Sequence, residues 1–335
     1  MTTYADETLA LHHSSFIFDG LSLFYTLTEP YSENILKAGV NAMNVTFAAD
    51  EDWDTTLRNL ERGLNQIETS PYLKLAVTTQ DIWQAKAENK VAVIPGTQGS
   101  RMLEHRMENL DVLFRYGVRF FGLAYTGATL FGDGCGERRD AGVSSYGHEL
   151  IDAVNELPMM LDLSHCGHST RLQAAQRARA PVCTHSNSYT VNPNDRNTHD
   201  ETALLIAQKG GVMGMCCLPK SVSPVAPSLE TLLEHQDHYL ALIGDEHIGL
   251  GLDFTEGLKS TGKPFSAGSV RWRTLRPDIF GTVDEFFTMP YPAGLAGIAD
   301  LPNYTQALID RGYTHDQIKG FLGGNWLRAF EKFIG

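Results

Sequence analysis

The sequence predicts an α/β protein, a parallel (β/α)8 barrel of the TIM type, as one domain over residues 1–335. Three observations carry that expectation. Short apolar runs alternate with stretches of helical composition, the order a parallel sheet requires. Two neighbouring runs, residues 159–163 and 180–183, each pass through a polar residue into a histidine, His165 and His185, with a helical stretch at 169–178 between them. Parallel strands joined by a helix bring their carboxyl ends to one side, and in a barrel that side carries the chemistry. No Pro/Gly/Ser-rich linker divides the chain.

Residues 15–19 (SFIFD) read as a first strand, 31–38 as a short helix and 40–47 (VNAMNVTF) as a second strand. The helix after Asp50 follows from a stripe at three- and four-residue spacing: Trp53, Leu57, Leu60, Leu64 and Ile67. Strands follow at 73–78, 91–94 and 118–125, with helices around 81–87 and through Leu103, Met107, Leu110 and Phe114. Residues 126–145 are rich in glycine and small side chains and read as a loop, placed where loops touch ligands. A helix at 146–157 precedes the two histidine-bearing units. Helices at 200–209 and 229–243 and strands at 211–217 and 247–253 complete roughly eight strands. Residues 254–301 lack periodicity. Their aromatics (Phe265, Trp272, Phe280, Phe286, Phe287, Tyr291) argue against disorder and predict a long loop over the mouth or at an interface. Helices at 304–310 and 316–330 end the chain.

Lys and Arg number 27 against 40 Asp and Glu, a net charge of −13, and no basic cluster points to nucleic acid. The five cysteines form no CxxC pair and read as free thiols of a reducing compartment. The amino terminus lacks the basic start and apolar core of a secretory signal, and no apolar run approaches a membrane span. The expectation is a cytoplasmic protein without membrane contact.

Asp253 ends the last strand in the run HIGLGLD, a position that suits proton handling. Arg196 lies in the turn-rich segment NPNDRN, where a guanidinium fork suits a carboxylate. Cys135 reads as a small residue of a tight loop and His168 as a capping or surface residue. His235 and His238 read as part of a solvated helix face, and Glu256 as a spare or solvated carboxylate.

The stretches ENLDVLFRYGVRFFGLAY, LDLSHCG, APVCTHSN, NPNDRN and HIGLGLDF, with the tail LPNYTQALIDRGYTHDQIKGFLGGNWLRAF, resemble the membrane (renal) dipeptidase family, a branch of the amidohydrolase-like barrels. The resemblance implies a homodimeric barrel whose binuclear zinc site hydrolyses dipeptides. It matches His165 and His185 to the histidines of the second zinc, Arg196 to a grip on the substrate carboxylate, and Asp253 to the residue that takes and gives the proton. It also marks departures. The first-strand His-x-Asp ligands fall on Leu21 and Leu23, the bridging glutamate on Gln98, and a carbonyl-binding histidine on Tyr125. What survives leaves room for one zinc ion or none, on His165 and His185 with Gln98 or Asp253. The leading expectation is a dipeptidase-like hydrolase of a small carboxylate-bearing amide, such as a dipeptide or N-acyl amino acid. A metal-independent lyase, isomerase or cyclase and an inactive binding protein are the competing readings.

Overall fold

In the computed structural model, which describes residues 6–260 and 267–335, β1 (Ile17–Leu23) and β2 (Val40–Ala48) form the first parallel pair. The other strands are β3 (Leu73–Leu75), β4 (Val91–Thr97), β5 (Phe120–Gly122), β6 (Met160–Asp162), β7 (Pro181–Val182), β8 (Met213–Met215) and β9 (Ile248–Leu250). Their order is β7-β6-β5-β4-β2-β1-β9-β8, and a parallel bridge between Cys183 and Met213 joins the two ends into a ring. The ring has eight strands because β3 stands outside it. Residues 73–78 were expected as a barrel strand, yet β3 pairs only with Val91–Val93, the first half of β4. β5 takes over β4 from Gly96 onward.

Alternation along the strands creates two cores. Met43, Val93, Phe121 and Leu161 face outward to the helices, while their neighbours Ala42, Ala92, Phe120 and Met160 face the barrel axis. The outer layer receives Leu60 and Ile67 of the helix Trp53–Thr69, the stripe read from spacing. The inner core is closed at the amino end of the strands by the last helix, Asn325–Phe333, through Trp326 and Phe330. A continuous helix over 316–330 was expected, but a wide turn at Gly320–Gly324 interrupts it. There the chain crosses β1 so closely that a Cβ on Gly323 would lie 2.4 Å from the Phe16 carbonyl oxygen and the Phe18 amide. The break re-aims the helix so that Trp326 enters the barrel.

The helix Asp200–Lys209 stops at Gly210, whose φ of +89° glycine adopts without a Cβ penalty. His235, on the helix Leu229–Ile243, is a correction. It is wholly buried rather than solvated, with Nε2 2.9 Å from the Val222 carbonyl oxygen and Nδ1 accepting the Ser188 amide at 3.2 Å. That face packs on the turns following β7 and β8. Residues 254–301 are also not a plain loop: among the described residues they contain four short α-helices, Glu256–Ser260, Ala267–Leu275, Pro277–Phe280 and Val283–Thr288, and a 3-10 turn at Ile298–Asp300. Phe265 lies outside the described residues. Among the described residues no helix is long and apolar enough to cross a membrane.

Candidate active site

At the carboxyl end of the ring the strands deliver side chains to one cavity of about 150 Å³. Leu23 and Thr46 come from β1 and β2, and Gln98 follows β4. Tyr125 and Thr126 follow β5, His165 follows β6, Leu218 follows β8 and Asp253 follows β9. Trp272, Arg273, Phe280 and Phe286, from the short helices of 254–301, also line it, which puts that segment over the mouth. His185, after β7, does not line the cavity and lies behind His165, fully buried.

The two histidines form part of a row of hydrogen bonds with a fixed direction. Thr184 donates its hydroxyl to the Asp162 carboxylate at 2.7 Å, so it accepts from Nδ1–H of His185, also at 2.7 Å. Nε2 of His185 then carries the lone pair and accepts from Nε2–H of His165 at 3.1 Å. This leaves Nδ1 of His165 to accept from the Thr126 hydroxyl at 3.1 Å. Both imidazoles are neutral: burial, and then the nearby Arg196 guanidinium, hold their pKa values well below the usual histidine range. Tyr125 packs on the His165 ring at a centroid distance of 4.3 Å.

Arg196 is completely buried, and Nη1 donates to the Ser164 carbonyl oxygen. Nε and Nη2 have no hydrogen-bond partner. These two atoms form one edge of the guanidinium, the edge that receives a carboxylate bidentately. An ion pair with Asp195 or Asp200 would have been the structural use of Arg196. Instead Asp195 pairs with Arg276 at 2.7 Å and Asp200 with His238 at 2.8 Å.

Asp253 shares the cavity. Burial raises its pKa to about 7, the Arg196 charge opposing and Asp19 adding to the shift. Its φ of +51° is unusual for a residue with a side chain, and a bond from its amide to the Leu21 carbonyl oxygen at 3.2 Å helps hold it there. Asp19 supports the same turn by accepting the Leu252 amide at 2.9 Å, and burial raises its own pKa to about 6.

The donor set does not fit a catalytic zinc centre. Two nitrogens bound tetrahedrally at about 2.0–2.1 Å lie roughly 3.3–3.4 Å apart, near the 3.1 Å observed between the imidazoles. A catalytic zinc commonly takes a third protein ligand, but among the described residues no three His, Cys, Asp or Glu side chains converge as a metal-binding group. Asp253 therefore does not complete the pair. Leu23 lines the cavity, Leu21 is buried in the fold, and neither side chain can ligate a metal. Gln98 lines the cavity with its Nε2 donated to the Thr46 hydroxyl at 2.6 Å, and a neutral amide is a poor stand-in for a bridging carboxylate.

Cys135 is buried with its thiol pKa raised by that burial, so it is a loop-packing residue. His168 starts the helix His168–Arg177, at the surface beside Glu201. Glu256 lines a separate small cavity with Asp19 and Tyr25. Sequence reasoning missed Arg273 and Thr126 as cavity residues, and Arg171. Arg171 is buried to 1% exposure and donates to the carbonyl oxygens of Leu163, Ser164 and Cys166 on one side and Asn197 on the other. It ties the turn bearing His165 to the turn bearing Arg196. The run VRWRTLRP, with three arginines and a tryptophan in an otherwise unpatterned segment, was the available signal for Arg273.

The pattern of the membrane dipeptidase family (peptidase family M19) matches residues 23–267. Dipeptidase verJ of Clonostachys rogersoniana is 26% identical over 78% of this chain and 60% of its own length. An uncharacterized dipeptidase of Schizosaccharomyces pombe is 28% identical over 84% of this chain and 65% of its own length. The chain thus spans less than two thirds of these curated relatives. Among solved structures, an amidohydrolase from Pseudomonas aeruginosa superposes with a TM-score of 0.86 at 25% identity, over 98% of this chain and 99% of that one. A metallo peptidase from Rhodobacter sphaeroides, liganded with a phosphinate mimic of the dipeptide L-Ala-D-Ala, shares the fold at 19% identity. Its TM-score is 0.76, over 96% of this chain and all of that one.

Proposed function

From the premise that this chain belongs to the membrane dipeptidase family, we propose that its cavity hydrolyses the amide bond of a small carboxylate-bearing molecule, a dipeptide or an N-acyl amino acid. The observation that carries this reading is the buried Nε/Nη2 edge of Arg196, which has no partner and lies in the cavity that Asp253 also lines. An uncompensated buried cation is costly, and a bound carboxylate removes that cost.

With the substrate carboxylate on Arg196, ionised Asp253 takes a proton from water as the water oxygen attacks the amide carbon. Nε2–H of His165 turns from the lone pair of His185 to the carbonyl oxygen and stabilises the developing oxyanion. Asp253 then returns the proton to the leaving nitrogen, the C–N bond breaks, and a carboxylic acid and an amine result. No step is drawn through zinc, because the ligand set does not fit it. Family membership supports a homodimer, which sedimentation would read.

The test is release of free amine from a panel of dipeptides and N-acetyl amino acids by protein purified without chelator, with its metal content measured. Turnover that survives chelation and is lost in Asp253→Asn supports the reading. Binding without conversion across the panel would overturn it. Turnover that needs a stoichiometric metal would overturn the metal-free route alone.

A further inference from the structure

The charge lining the cavity does not balance. Arg196 and Arg273 line the main cavity. Leu218, Thr255, Arg273, Phe280 and Phe286 continue into a small branch of about 20 Å³, where Lys220 and Lys259 join the wall. Among the described residues the carboxylates lining these two spaces are Asp253 and Glu285. Glu285 is engaged with Lys220 at 3.0 Å. The two carboxylates thus stand against four cations, Arg196, Arg273, Lys220 and Lys259, in a protein whose overall charge is −13.

These cations are held in place. The Arg273 guanidinium donates to the Phe280 carbonyl oxygen and sits over the Phe286 ring at 4.7 Å. Lys259 donates to the Met289 carbonyl oxygen at 3.1 Å and lies over the Tyr291 ring at 4.4 Å. Carbonyl groups and ring faces orient a cation without cancelling its charge. The wall shared by the cavity and its branch is otherwise largely apolar, with Leu218, Phe280 and Phe286.

We propose that the cavity selects substrates with two carboxylates joined by a short methylene segment: acidic dipeptides, or N-acyl amino acids with an acidic side chain or a dicarboxylic acyl group. This deepens the amide-hydrolase reading and rests on it. One carboxylate occupies the Nε/Nη2 edge of Arg196. The second lies toward Arg273 and Lys259, and the methylenes lie along Leu218 and Phe286. Arg273 and Lys259 are then the residues that determine specificity.

The experiment is calorimetric binding to the full chain of two acids that contain no amide, glutarate and pentanoate. They share a five-carbon chain and differ by one carboxylate. The apolar wall on its own would favour pentanoate. The expected result is glutarate binding at least about 10-fold more tightly, the range of one charge-assisted contact. That preference should shrink in Arg273→Met and, independently, in Lys259→Met. Equal or tighter binding of pentanoate by the unaltered protein would overturn the proposal and leave the hydrolase reading intact. So would a preference unchanged in both variants. If neither acid binds, the carboxylate grip of Arg196 fails as well, and both readings fall together.

Discussion

At the amino end of the strands, Trp326 packs against Phe18 and Phe120 with ring centroids 6.1 and 5.9 Å apart, and Phe330 lies 6.3 Å from Phe120. The one polar atom of the Trp326 side chain donates to the Leu250 carbonyl oxygen at 2.7 Å. At the carboxyl end, the same strands lead into a buried guanidinium edge with no partner, a carboxylate titrating near neutrality and two residues with side chains at positive φ, Thr126 and Asp253. One end packs its large rings closely and satisfies the indole N–H, as the rules of a stable core require. The other breaks those rules within a small volume, and such concentrated breaches mark a functional site.

That contrast predicts a separation of effects. Trp326→Ala should remove about 3–5 kcal/mol of stability, the cost of deleting a large core side chain. Denaturant unfolding reads it, and glutarate affinity below the transition should be retained. A large loss of affinity at retained fold would break the division between the two ends. Asp253→Asn should lower kcat by about 10²–10⁴-fold, the usual worth of a positioned acid–base group, without loss of stability at pH 8. The sign follows from linkage. A carboxyl whose folded pKa is raised from 3.8 to about 7 binds more protons folded than unfolded between those values, so its charge opposes folding as pH rises through that window.

Arg196→Met should raise KM by about 10–100-fold, the worth of a charge-assisted hydrogen-bond pair, while Tm stays level or rises because a buried unpaired charge is gone. A large fall in Tm would show instead that the guanidinium serves the fold. The smallest effect is the pH profile. Because Asp253 acts as a base, kcat/KM should fall about tenfold per pH unit below roughly pH 7 and level off above it, and Asp253→Asn should abolish that limb.

Much of the packed end was legible in the sequence. Alternating apolar runs gave the ring, and the Trp53-to-Ile67 stripe gave its helix, because these follow from periods of two and 3.6 residues. The exclusion of β3 from the ring and the break at Gly323 were not legible. Both depend on which backbone a segment meets in space: half of β4 in one case and β1 in the other. At the open end, the residues ending strands (His165, His185, Asp253) could be read from position alone. The direction of their hydrogen bonds and the burial of His235 depend on partners far away in the chain. Arg273 comes from a helix with no strand to index it.

The row from Asp162 to Thr126 has one further consequence. Its anchor accepts from the amides and hydroxyls of both Ser164 and Thr184, so every proton along the line points toward it. Asp162 lies outside the cavity, yet it dictates which imidazole tautomer the cavity meets. Asp162→Asn would give that anchor something to donate, and the whole file could then reverse, turning Nε2–H of His165 into a lone pair. A residue with no ligand contact would thus change the hydrogen-bonding sense of the wall while leaving its shape intact.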